Sequence, residues 1–72
     1  MNNNFEDNYK KVYQCMNDAL KYYKKYASQV NINWEEAVNE GWRLHRESSI
    51  PEFTSAIITD IQCQLEREEK IK

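Results

Sequence analysis

KYYKKY, residues 21–26, sets three tyrosines among three lysines within six positions. Read as a line, it is a basic-aromatic strip of the kind that grips nucleic acid. Read as a helix of 3.6 residues per turn, its side chains divide between two faces. The flanking sequence decides for the helix. Apolar side chains recur at Tyr9, Val12, Tyr13, Met16, Ala19, Leu20, Tyr23, Tyr26, Ala27 and Val30. Their spacings of three and four are helical, and no strand alternation competes with them. The opposite half carries Asp7, Lys10, Lys11, Gln14, Asn17, Asp18, Lys21, Lys24, Lys25 and Ser28. This pattern predicts one long helix over residues 6–30, with Tyr23 and Tyr26 inward and the lysines in water. Asp7 precedes Lys10 and Lys11, and Asp18 precedes Lys21, at the spacing where charges pair along a helix. Tyr22 stands at the edge of the apolar half.

Downstream, Asn31-Ile32-Asn33 breaks the pattern. Asn33 suits an N-cap, with Glu36 in the third position of a capping box. A second helix is expected over Trp34 to Glu47, with Trp34, Ala37, Val38, Gly41, Trp42, Leu44 and His45 on its apolar face. Gly41 costs about 1 kcal/mol of helix propensity there, so a close packing contact is expected to offset it. Ser48 to Glu52 reads as a restart: Ser49 can cap, Pro51 suits a first turn, and Glu52 completes a Ser-x-x-Glu box. A third helix then places Ile50, Phe53, Ile57, Ile58, Ile61 and Leu65 on one face. Residues 1–5 and the charged stretch 66–72 are expected to fray. The fold class is therefore all-α, three helices with a long first one, in a single domain over residues 1–72. Trp34, Phe53, Ile57 and Ile61 are expected to pack against Met16, Leu20 and Tyr23.

With 31% charged and 40% hydrophobic residues, one Gly and one Pro, the chain has a globular, helix-leaning composition. A domain of 72 residues buries only about 60% of its unfolded surface and is marginal as a monomer. A net charge of −2 is too small to imply a polyanionic partner. Cys15 and Cys63 are too few for a disulfide framework, and no apolar leader opens the chain, so a reduced cytoplasm is expected. No run approaches the roughly 18 apolar residues of a membrane span. The many Asn, Lys and Ile residues are the usage of an AT-rich bacterial or phage genome.

Signals for catalysis are missing. His45 is the one histidine, the two cysteines have no Cys-x-x-Cys partner, and Gly41 stands alone rather than in a phosphate-binding loop. Glu35 and Glu36 point apart from a helix start, where they complement the dipole. No catalysis, metal site or cofactor is expected. Ala37 and Gly41 are spaced like the small residues of a helix-turn-helix, but the helical stripe continues past the glycine to Glu47.

Lengths and charges point to association instead. At about 1.5 Å per residue the first helix is roughly 37 Å long, and its partners roughly 21 and 24 Å. Apolar surface left uncovered on a small protein meets another chain. The expected seam is Val12, Cys15, Ala19, Tyr22 and Tyr26. The first helix carries +2, and the second helix and residues 50–72 carry −2 each. The function expected is a small non-catalytic helical protein–protein interaction module, an adaptor, regulator or inhibitor of a larger protein, forming a homodimer through helix 1. The alternative is a dimeric DNA-binding regulator that turns Lys10, Lys11, Lys21, Lys24 and Lys25 toward phosphates. Steep salt dependence would mark it.

Overall fold

A computed structural model describes residues 3–71, and for residue 3 the backbone only. It contains α1 (Asn3–Ala27), α2 (Trp34–Glu47) and α3 (Pro51–Lys70), with no strand among the described residues. The bounds of α2 are those read from the sequence. Its N-cap is Asn33, whose Oδ1 accepts from the Glu36 amide at 3.1 Å. The helix α1 begins at Asn3, inside the stretch expected to fray, and ends at Ala27. Met1, Asn2 and Lys72 lie outside the described residues.

The turn into α3 is held differently from the expectation. Pro51 does open the helix, but the N-cap residue is Ile50 and no side chain caps it. The tie comes from Ser48 rather than Ser49. Ser48 Oγ accepts from the Ile50 amide at 3.0 Å and lies 2.6 Å from Thr54 Oγ1. The C-terminal stretch is also anchored. Ile32 N and Trp34 Nε1 both donate to the Glu69 carboxylate, at 3.1 and 3.0 Å, and Tyr23 donates to Glu68 at 2.6 Å. These bonds hold the last turns of α3 against the α1–α2 connection, where free solvation was expected.

Side-chain pairs fix the topology as up-down-up. Cys15–Thr54, Tyr22–Gln62 and Tyr23–Glu68 ascend together, so α1 and α3 run parallel. Tyr22–Ala37 and Lys25–Glu36 join α1 to α2, while Trp34–Glu69 and Ser48–Thr54 join α2 to α3 with opposite sense. The molecule is a rod of 49 × 20 × 15 Å. Thr54, one turn into α3, is level with Cys15, and residues 4–11 are all exposed. The first turns of α1 therefore overhang the start of α3.

The core departs most from the sequence reading. It consists of Ala19, Tyr22, Tyr26, Ile32, Ala37, Ile58 and Leu65, closed at one end by Cys15 and Thr54. Tyr22 and Tyr26 are at most 1% exposed. Tyr23, Ile57 and Ile61 pack only at the border, while Met16, Leu20 and Phe53 are exposed. Trp34 does pack on the core, but Val38 and Trp42 face out, and His45 sits half-buried with its ring 5.7 Å from Trp42. In effect α1 is turned by about one residue step, roughly 100°, from the orientation its apolar stripe suggests.

Two physical causes account for the turn. Cys15 and Ala19 are small and let α3 approach closely, whereas Met16 and Leu20 on that side would hold it away. The tyrosines chosen for burial are those whose hydroxyls find partners. Tyr22 donates to the Ala37 carbonyl at 2.7 Å and accepts from Gln62 Nε2 at 3.1 Å, and Tyr26 donates to Glu40 at 2.7 Å. Gly41 belongs to the same junction. A Cβ there would stand 3.0 Å from both Ile58 Cγ2 and Gln62 Nε2, the close contact its place in mid-helix implied.

Candidate functional site

The seam expected to receive a second chain is occupied. Cys15, Ala19, Tyr22 and Tyr26 are buried beneath the chain's own α2 and α3, and Val12 is half-buried beside them. They are core residues, so a second chain has no access to them. What α1 leaves open lies on the neighbouring face: Phe5, Tyr9, Tyr13, Met16 and Leu20, each 50–67% exposed. The rings of Phe5, Tyr9 and Tyr13 stack in sequence, with centroids 6.5 Å apart at both steps. Side chains of this size leave on the order of 600 Å² of the stripe open. That is at the upper end of the largest patch on an ordinary monomer, a size that marks interaction surfaces.

The helix α3 widens this face. With α1 and α3 parallel and α2 against their far side, the helical step places Phe53, Ile57 and Ile61 on the same side as the stripe. Tyr23–Glu68 joins the two helices at the end nearer the α1–α2 connection. Toward the other end, residues 5–10 are all exposed. A spacing signal for the exposed face was present in the sequence: 9, 13, 16 and 20 alternate fours and threes. Phe5 lies one helical step before Tyr9 on the same face, inside the stretch 1–5 expected to fray.

Charges sort to the opposite side. Lys25 Nζ bridges Glu36 and Glu40 at 3.2 and 2.8 Å, and Arg43 reaches Glu40 and Glu47. The hydrogen bonds to Glu40 and then Glu36 raise the Lys25 pKa. Burial, followed by the bond to Glu40, raises that of Tyr26. Burial alone would push the Glu40 carboxyl up. The Lys25 ammonium and Tyr26 hydroxyl it accepts from outweigh that, so it lies below the ordinary carboxylate range. Burial likewise raises the Tyr22 hydroxyl, against the opposing bond from Gln62. This network joins α1 to α2 and turns no group toward a ligand.

The five lysines of the phosphate-facing alternative differ in their surroundings. Lys25 is held by its two glutamates, and Lys11 lines a cavity with Asp18 and Glu47. Lys10, Lys21 and Lys24 remain, exposed and without an ion pair among the described residues. The Lys11 cavity, about 240 Å³, contains the chain Cys15–Thr54–Ser48, whose hydrogen bonds are satisfied among themselves. Cys63 is exposed. Among the described residues no three His, Cys, Asp or Glu side chains converge as a metal site would require. No described helix is long and apolar enough to cross a membrane. No protein-family model matches the chain, and no curated protein or solved structure does either.

Proposed function

We propose that this chain is a small helical protein–protein interaction module without catalysis, which self-associates through helix α1 and serves as an adaptor, regulator or inhibitor of a larger protein. One observation carries the reading: an unbroken stripe of five large apolar side chains on α1, three of them stacked rings, left open by a chain whose core is filled elsewhere. Exposing such a stripe to water is costly, and a protein surface that covers it recovers that cost at about 25 cal/mol per Å² of apolar area. The binding face is therefore Phe5, Tyr9, Tyr13, Met16 and Leu20, in place of the seam through Tyr22 and Tyr26. With Lys25 engaged by Glu36 and Glu40, the lysine face offers less to DNA than its composition suggested.

Tyr13→Asp and Leu20→Asp test the proposal. Both positions are exposed, so helicity by circular dichroism should match wild type. Association should weaken by about 2 kcal/mol or more, as loss of an apolar anchor does. If both variants fold and associate like wild type, the stripe is not the interaction face. If the same lesions instead remove a salt-sensitive affinity for duplex DNA, the DNA-binding alternative replaces it.

A further inference from the structure

We infer that the stripe receives a second copy of the chain with the two α1 helices antiparallel and crossing near Tyr13, so that the overhanging first turns of each α1 lie along the partner's α1 and α3 as a fourth helix. This rests on the stripe being an interaction face, and adds its occupant and direction.

The overhang supplies the first argument. Residues 5–10 are all exposed, and they carry Phe5 and Tyr9 on the face that continues toward Met16 and Leu20. One end of the stripe thus projects as a bare helix, and the other lies beside α3, where Ile57 and Ile61 are half-buried against the core. Turning one copy end for end sets the projecting half of each on the half of the other that lies beside α3. Phe5 then lies opposite the partner's Leu20, and Tyr9 opposite the partner's Met16. Both ends are filled in one closed, two-fold contact, without the open-ended growth of head-to-tail docking.

Area agrees. About 600 Å² of stripe, with Phe53 and the border residues Val12 and Ile57 added, reaches the scale of about 800 Å² per partner found in standard interfaces.

Charge decides the direction. Beyond the edge of the stripe away from α3 lie Glu6 and Lys10 toward one end and Lys21 and Lys24 toward the other, all exposed and without an ion pair among the described residues. Antiparallel helices in that register place the partner's Lys21 about 3 Å and its Lys24 about 7.5 Å along the axis from Glu6, within reach of a lysine side chain, twice by symmetry. Parallel helices in register leave Glu6 about 22 Å along the axis from the partner's Lys21, so no such pair forms. The helix dipoles also favour the antiparallel arrangement.

Charge exchange and disulfide trapping test this. Glu6→Lys alone, and Lys21→Glu with Lys24→Glu, should each weaken dimerisation by roughly threefold to thirtyfold, because each breaks two rim ion pairs. All three changes together should restore it to within about threefold of wild type, leaving the residual expected of imperfectly additive neighbours. In a Cys63→Ser background, mixing a Glu6→Cys chain with a Lys21→Cys chain should give the mixed disulfide in preference to either like pair. A dimer indifferent to the charge variants, or one trapping Glu6→Cys chains with each other, overturns the antiparallel arrangement while leaving the stripe as an interface. A monomer at every concentration overturns both readings.

Discussion

Gly41→Ala probes the junction where all three helices meet, and its sign is not obvious from composition. In an exposed mid-helix position alanine would add about 1 kcal/mol of stability through helix propensity. At Gly41 the new methyl would stand 3.0 Å from Ile58 Cγ2 and 3.0 Å from Gln62 Nε2. Neither can yield cheaply. Ile58 is β-branched and buried, so its χ1 is held in one helical rotamer. Gln62 Nε2 is the donor to Tyr22 Oη, and that hydroxyl in turn bonds the Ala37 carbonyl. Moving the amide therefore loosens a buried tyrosine. Overpacking of this kind costs about 1–3 kcal/mol. Set against the propensity gain, the net result is a destabilisation of about 1 kcal/mol. Urea denaturation followed by circular dichroism measures it, on a domain whose whole stability is of the order of 5 kcal/mol. The Ile58→Ala background supplies an internal control: with the γ-branch gone, Gly41→Ala should become neutral or stabilising. A Gly41→Ala variant more stable than wild type by 0.5–1 kcal/mol, the gain of an unobstructed helix site, would refute the close approach.

Two further outcomes follow from the same contacts. Glu69→Ala removes the acceptor for Ile32 N and Trp34 Nε1. It should cost about 1–3 kcal/mol and change Trp34 fluorescence; a variant unchanged in both would mean that the end of α3 is not docked. Stability should also fall at both extremes of pH. Glu40 is depressed below its ordinary 4.5, so its contribution is present above that value and lost as pH falls through the folded-state pKa. Tyr22 and Tyr26 are raised above 10.0, so theirs is complete below that value and lost as pH rises beyond it. Urea melts across pH should show a plateau between these limbs, with a shallower alkaline limb in Tyr26→Phe. Stability that rises steadily above pH 10 would contradict the buried hydroxyls.

The three helices were legible because their signals are local. The bounds of α2 follow from Asn33 as a cap and from the end of an apolar run at Glu47. Rotation about the axis was not legible for α1. Its apolar half spans Tyr9 through Val30 and is wider than two partner helices can cover, so periodicity alone admits more than one inward line. The choice between Tyr22 and Tyr23 turned on long-range hydrogen bonds to Ala37 and Gln62 and on the slimness of Ala19, and no window of neighbouring residues encodes those. The same holds for Glu68 and Glu69. They read as solvated charges until the fold brings Tyr23, Ile32 and Trp34 to them. Surplus apolar surface on α1 could be anticipated from length, but its place could not, because the line first assigned to a partner is the line this chain keeps for itself.

The helix α1 buries Tyr22 and Tyr26 within the chain, and the proposed interface offers Phe5 to Leu20 to a second copy. Sedimentation equilibrium across micromolar concentrations tests it most directly. The prediction is reversible association to twice the 8.7 kDa chain mass, abolished over that range by Leu20→Asp with helicity retained. A single 8.7 kDa species at the highest concentration, or a dimer that Leu20→Asp leaves intact, would contradict it.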